Sequence, residues 1–184
     1  MKKSFAIAFA FVTLMAGCTG TDKNKELRGS TADTGKLAVA TDKPTAAATV
    51  EIPGLDTMKA NNSLLLTGND RMQYSDTIFK VNAAEKVKLT FKNIGKMPKN
   101  SMGHNFVLLA QGTDFTDFTM AAMKARDDDY IPQSLRTSII AHTRLVGPGE
   151  TDEISFSVPG KGIYDFLCSF PGHYGTMRGK LIAE

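Results

Sequence analysis

The chain has 184 residues, 42% of them hydrophobic and 22% charged, which is enough for one soluble domain with a sizeable core and some length to spare. That composition excludes a collagen-like or wholly disordered chain. The formal net charge is +3, and Lys2 and Lys3 supply most of the excess, so the remainder is nearly neutral and carries no basic field for nucleic acid.

Lys2 and Lys3 form a positive start, followed by an apolar run from Phe5 to Met15. A run of roughly ten residues suits an export signal and is too short to span a bilayer. It ends in Leu14-Met15-Ala16-Gly17-Cys18. Small residues just before a cysteine resemble the bacterial lipoprotein signal, which implies cleavage after residue 17 and lipid on the Cys18 thiol. The alternative is an ordinary signal peptide with an incidental cysteine. Residue 19 is Thr rather than Asp. By resemblance to the sorting rule of enteric bacteria, that points to an exported, lipid-anchored protein at the outer membrane, facing the periplasm or the cell surface.

From Thr19 to about Ala60 the chain is rich in Thr, Ala, Lys, Asp and Gly and has few large apolar residues. Such a segment cannot bury enough surface to fold alone and is expected to be a flexible tether over residues 18–60. Its end-to-end distance is roughly 35–40 Å. The alternative is that Thr49 to Leu55 adds an edge strand.

From about residue 61 to 184 the texture changes to short β-like runs. They are Ser63–Thr67, Met72–Phe79, Lys86–Phe91, Asn105–Ala110, Ser138–Val146, Ile154–Val158, Ile163–Leu167 and Lys180–Ala183. Turn signals separate them, among them Gly68-Asn69-Asp70, Gly147-Pro148-Gly149, Pro159-Gly160-Lys161-Gly162 and Pro171-Gly172. This spacing predicts an all-β sandwich of about eight strands. One helix interrupts it: Asp114 can cap a segment in which Phe115, Phe118, Ala122 and Met123 share a face, before Asp127-Asp128-Asp129.

The chemistry concentrates in Cys168-Ser169-Phe170-Pro171-Gly172-His173-Tyr174-Gly175-Thr176-Met177. A thiol, an imidazole and a thioether fall in one loop between two predicted strands. His104 opens another strand far upstream. His₂Cys with a weak axial Met is the ligand set of a blue copper site, because a soft thiolate suits Cu(I) and imidazole tolerates both oxidation states. With only 2 cysteines, and Cys18 committed to lipid, Cys168 has no partner for a disulfide. A free thiol in an oxidising compartment needs an explanation, and a metal supplies one. The bland alternatives are a buried core thiol, a surface loop histidine and a methionine that fills the core.

Met97-Pro98-Lys99-Asn100-Ser101-Met102-Gly103-His104-Asn105 and Cys168-Ser169-Phe170-Pro171-Gly172-His173 resemble the azurins, as do Asn69-Asp70-Arg71-Met72-Gln73 and Ile140-Ala141-His142-Thr143-Arg144-Leu145. The resemblance implies a Greek-key cupredoxin sandwich with a flap helix and one type 1 copper. His104, Cys168 and His173 would be equatorial ligands, with Met177 and the Gly103 carbonyl as weak axial ones. Asn105 would tie the ligand segments together, and the Phe170 N–H would support the Cys168 thiolate. Met72, Met97, Met102, Pro171 and Gly172 would form an apolar docking patch around the outer edge of His173. The chain departs from the family at three places. Asn62 and Ala84 stand where azurins carry a disulfide, Phe106 replaces the usual core Trp, and Asn93 replaces a titrating His of some azurins. His142 lies in a strand pattern and is read as a surface residue, not a ligand.

The resemblance implies a non-enzymatic, monomeric electron carrier whose partners are redox proteins such as cytochromes or a copper-dependent reductase or oxidase. The alternative is copper storage or delivery, which the methionines keep open. A Cys-His hydrolase has no orienting pattern to support it. Three histidines cannot build the further copper sites of a multicopper oxidase.

Overall fold

The computed structural model describes residues 55–184. The export signal (1–17), Cys18, the Thr49–Leu55 strand alternative apart from Leu55 itself, and all but the end of the tether (18–60) lie outside the described residues. Leu55–Thr57 is a single 3₁₀ turn.

Among the described residues nine strands form two sheets. In chain order they are β1 (Ser63–Asn69), β2 (Gln73–Tyr74), β3 (Ile78–Val81), β4 (Val87–Asn93), β5 (Val107–Leu109), β6 (Ile139–His142), β7 (Thr151–Phe156), β8 (Gly162–Leu167) and β9 (Arg178–Ala183). One sheet has the order β2-β1-β4-β7 and the other β3-β9-β8-β5-β6. Two pairs are parallel, β1 with β4 and β3 with β9, and the other pairs are antiparallel.

The alternation in β4 explains its place: Val87, Leu89, Phe91 and Asn93 are buried, while Lys88 and Lys92 face water. Leu64, Leu66 and Gly68 of β1 point the same way. Phe166 of β8 sits at the middle of the core, with the rings of Tyr74, Phe79 and Phe106 at 5.7, 5.6 and 5.3 Å. Phe91, Phe106 and Phe166 are fully buried, each contributing about 1.5–3 kcal/mol over an exposed side chain. β5 does not alternate. All three of its residues are buried, because a second apolar cluster of Phe118, Ala122, Ile131 and Leu167 covers its other face.

That cover comes from helix α2 (Phe115–Lys124), which follows the four-residue helix α1 (Lys99–Met102). The carboxylate of Asp114 caps α2, accepting from Asp117 N at 2.8 Å. Phe118, Thr119 and Ala122 are buried, whereas Met123 is 37% exposed, so Thr119 takes an inward place that the apolar pattern assigns to Met123.

Several elements differ from expectation for identifiable reasons. The run Met72–Phe79 is two strands in different sheets. At its break, Ser75 donates its N–H to the Thr67 carbonyl at 2.9 Å, and its Oγ accepts from Thr67 N at 3.1 Å. A side chain thus replaces a rung of the ladder and lets the chain cross between sheets. Gly68 lies inside β1, not in a turn. The run Ser138–Val146 stays a strand only to His142. Beyond it, Thr143 exchanges hydrogen bonds with the Phe106 backbone through its own N–H and its Oγ1, and Val146 pairs with His104 in an isolated bridge. β7 begins earlier than expected. The short helix α1 and the 3₁₀ turn Gln133–Ser138 have no periodic signal in the sequence.

Candidate metal centre

The ligand-bearing loop joins the adjacent antiparallel strands β8 and β9. Cys168 and Met177 sit at its two ends, and Cys168 N donates to the Met177 carbonyl at 2.9 Å, closing the neck. Inside the loop, His173 N bonds the Phe170 carbonyl and Met177 N bonds the His173 carbonyl. Gly172 has a φ of +84°, a conformation open to glycine without strain. His104 arrives from the other direction. Its backbone is locked to Val146 by two hydrogen bonds of 3.1 and 2.8 Å. A Cβ on the preceding Gly103 would lie 2.6 Å from the Lys99 carbonyl, so the tight passage from α1 to His104 requires glycine.

These elements bring His104, Cys168 and His173 together, with their ligand atoms within 4.8 Å of one another. His104 Nδ1 is 3.2 Å from His173 Nδ1, and Cys168 Sγ is 3.6 Å from the same nitrogen. All three side chains are buried. Met177 is fully buried beside them. Gly68 shows how close: a Cβ there would lie 3.0 Å from Met177 Cε and 3.1 Å from the His104 ring. The third histidine stands apart. His142 Nδ1 contacts the Thr143 carbonyl at 3.0 Å and its Nε2 meets Arg136.

Burial governs the protonation of the site. It pushes the Cys168 thiol up to about 12, against the backbone N–H groups of Asn105 and Phe170, which favour the thiolate. Burial, and then the charge of His104, push His173 down to about 4. Burial also lowers His104, against the Asn69 carbonyl and the Asp70 charge. At neutral pH the metal-free pocket therefore holds a thiol and two neutral imidazoles. Two nitrogens, a sulfur that becomes a thiolate and a nearby thioether form a donor set that fits copper.

Asn105 bridges the two halves of the site. Its Oδ1 accepts from Ser169 N at 2.9 Å, and its Nδ2 donates to Ser169 Oγ at 2.8 Å and to the Asp129 carbonyl at 3.2 Å. The Tyr74 hydroxyl donates to the Asn105 carbonyl at 2.6 Å. Asn93 holds the loop before His104, donating from Nδ2 to the Met102 and Val146 carbonyls.

The residues assigned to a docking patch have mixed exposure. Met97 is 42% exposed, Gly172 is exposed, and Met72, Met102 and Pro171 are half-buried. Their segments are stitched together: Thr176 Oγ1 donates to the Met72 carbonyl, and the Asp70 carboxylate accepts from Lys96 N and Met97 N. His173 itself is only 2% exposed. Among the described residues no buried side-chain nitrogen or oxygen lacks a partner, and none of them bonds His173 Nε2, which leaves that atom as the ring's edge toward the surface.

Sequence reasoning missed the Asn69 carbonyl, the backbone N–H of Asn105 and Gly68. The first two act through main-chain atoms and leave no residue-type signal. The third leaves a weak one, a lone glycine where a strand should continue.

A two-sheet sandwich that buries one cysteine, two histidines and a methionine at the mouth of a strand-joining loop has the form of a cupredoxin. Residues 60–184 match the family described as copper binding proteins, plastocyanin/azurin family, and the chain belongs to it. It is similar to azurin from Pseudomonas denitrificans, 37% identical over 126 residues that cover 66% of this chain and 98% of that protein. It is also similar to outer membrane protein H.8 of Neisseria gonorrhoeae, 36% identical over 126 residues, 66% of this chain and 67% of that protein. Among solved structures, auracyanin from Roseiflexus castenholzii matches with a TM-score of 0.63 at 30% identity, covering 68% of this chain and 99% of that one. An azurin from Methylomonas sp. strain J matches with a TM-score of 0.60 at 32% identity, covering 66% and 97%. The chain is an azurin-type cupredoxin with one copper site.

Proposed function

We propose that this protein is a blue copper electron carrier, not an enzyme, which passes single electrons between redox proteins at the cell envelope. The observation that carries this reading is the buried triangle of His104, Cys168 and His173, with Met177 beside it. His104, Cys168 and His173 would hold the copper, with Met177 and the Gly103 carbonyl as weaker donors. Bound there, copper supplies one-electron chemistry between Cu(I) and Cu(II). The residues hold that geometry rigid: Asn105 ties Ser169 to the 129 turn, Asn69 orients His104, and the closed loop neck fixes Cys168 against Met177. A frame that changes little between oxidation states keeps electron transfer fast. Burial of every equatorial donor argues against copper delivery, which needs a ligand that can be handed over.

His173 Nε2 is the exit point for electrons, and Met72, Met97, Met102, Pro171 and Gly172 are the docking surface around it. A small, nearly uncharged patch suits brief encounters with cytochromes or a copper-dependent reductase or oxidase. The protein acts as a monomer. The likeness to an outer membrane protein supports the lipid anchor at Cys18, the tether over 18–60 and a place at the outer membrane.

The test is the visible spectrum on adding Cu(II), followed by redox cycling in the presence of a Cu(I) chelator. An intense thiolate-to-copper band, lost in Cys168→Ser, and copper retained through many cycles are expected. Ready loss of copper to the chelator overturns the carrier reading in favour of delivery. Met102→Lys should keep the spectrum and slow electron self-exchange, because each docked complex then buries an unpaired charge. Self-exchange equal to wild type at moderate salt moves the exit to another face.

A further inference from the structure

A pocket of about 250 Å³ lies on the side of the ligand loop formed by Phe170. Its lining is Lys99, Asn100, Arg126, Tyr130, Leu145 and Phe170. Tyr130, Leu145 and Phe170 are each less than 10% exposed and form an apolar floor, while Asn100 and Arg126 are exposed and Lys99 half-buried. An apolar cavity of roughly 150 Å³ already holds a benzene, so this one has room for a single ring with a substituent. Among the described residues neither Lys99 nor Arg126 forms an ion pair, and Glu150, which feels the Lys99 charge, is paired with Arg144 at 2.8 Å.

The floor is built deliberately. Asp129 and Tyr130 both have left-handed backbones, with φ of +54° and +62°, an arrangement non-glycine residues seldom adopt. It is held by the Asp129 carboxylate accepting from Leu145 N at 3.2 Å and by Asn105 donating to the Asp129 carbonyl. The result is that Tyr130 stands edge-on to Phe170, with ring centroids 5.0 Å apart. Phe170 in turn lies 4.5 Å from the His173 ring. The pocket is therefore one aromatic ring away from the metal centre.

We infer that this pocket binds a small aromatic carboxylate, with its ring against Tyr130 and Phe170 and its carboxylate between Lys99 and Arg126. The ring geometry selects an aromatic guest over an aliphatic one. The guanidinium of Arg126 and the ammonium of Lys99 select a carboxylate, the first by its planar fork. Nothing in this depends on electron transfer, so the site stands or falls separately from the carrier function.

The test uses benzoate as the probe and nitrogen-labelled protein of the full chain, both copper-free and loaded with Cu(I). Amide shifts should move saturably at Lys99, Arg126, Tyr130 and Phe170. Arg126→Ala and Lys99→Ala should each weaken binding about two- to fivefold, the effect falling with salt as for other exposed charges. Cyclohexanecarboxylate, with equal charge and no aromatic ring, should bind at least threefold more weakly. Arg126→Ala, which touches none of the proposed ligands' hydrogen bonds, should leave the Cu(II) spectrum unchanged. Inorganic phosphate competing as well as benzoate would reduce the site to a plain anion patch and overturn the proposal. So would equal binding of the cyclohexane acid, or benzoate shifts confined to other residues.

Discussion

The carbonyl of Asn69 and the imidazole of His104, thirty-five positions apart in the chain, meet at 3.0 Å through Nε2. A carbonyl can only accept, so Nε2 of the neutral ring carries the proton and Nδ1 presents its lone pair toward Cys168 and His173. The same Asn69 carbonyl accepts from Met72 N at 3.0 Å, which fixes it in place. The tautomer a metal requires is thus set before any metal arrives.

Copper uptake at pH 7 should release about one proton per ion. Cys168, pushed up to about 12, must lose its proton, while His104 and His173, both lowered, have none to give. Titrating copper into weakly buffered Cys18→Ala protein, in which Cys168 is the sole thiol, reads this directly. Release of two protons would show an imidazolium in the empty site, and release of none a preformed thiolate.

The copper-free protein should lose stability in acid through the same histidines. His173 falls from 6.5 in the unfolded chain to about 4 in the fold, so the unfolded state binds the proton first. The stabilisation is fully present above about pH 6.5 and disappears as pH falls toward 4. Denaturant titrations at pH 7, 5.5 and 4 should show a steeper loss for the wild type than for His173→Gln. Parallel losses in the two proteins would contradict the assignment.

Asn62 should tie the start of β1 to the turn at residues 82–85. Its side chain accepts from Asn82 N at 2.8 Å and donates to the carbonyls of Asn82 and Glu85 at 3.0 and 3.3 Å. Asn62→Ala should cost roughly 1–3 kcal/mol. A reductant should leave the melting temperature of the copper-free protein unchanged. A drop on adding reductant would reveal a cross-link.

Gly68→Ala should disturb the metal site from behind. Its methyl would press on Met177 Cε and the His104 ring, which overpacks the core by about 1–3 kcal/mol and shifts those two side chains. The Cu(II) spectrum should shift, while Gly160→Ala, placed in open space, should change nothing. Met177→Leu should keep copper bound and raise its potential, since a thioether would be only a weak donor beside a thiolate and two imidazoles.

Much of the molecule was legible from residue types. The alternation of Lys86–Phe91 marked β4, the β-rich run Ile163–Leu167 marked β8, and Asp114 marked the helix start. The Cys-His-Met spacing marked the site before any contact was known. What stayed hidden has a common cause. The break between β2 and β3 is made by one serine standing in for a backbone rung, and residue identity gives no warning of it. The strand ending at His142 stops because the Thr143 hydroxyl, and not its carbonyl, accepts from the N–H of the facing residue Phe106. Asn69 orients His104 with an atom that every residue possesses.

The ten residues from Cys168 to Met177 enter and leave the sandwich at one point, because Cys168 N and the Met177 carbonyl meet at 2.9 Å. β8 and β9 continue their ladder below that pinch without reference to what lies above it, from Leu167 opposite Arg178 to Gly162 opposite Ala183. The loop is therefore a cartridge. Its length and contents can be exchanged while the chassis keeps its register, provided the replacement begins on the cysteine and ends on a residue whose carbonyl closes the same gap. His104, anchored on a separate bridge, would wait unchanged for whatever is plugged in.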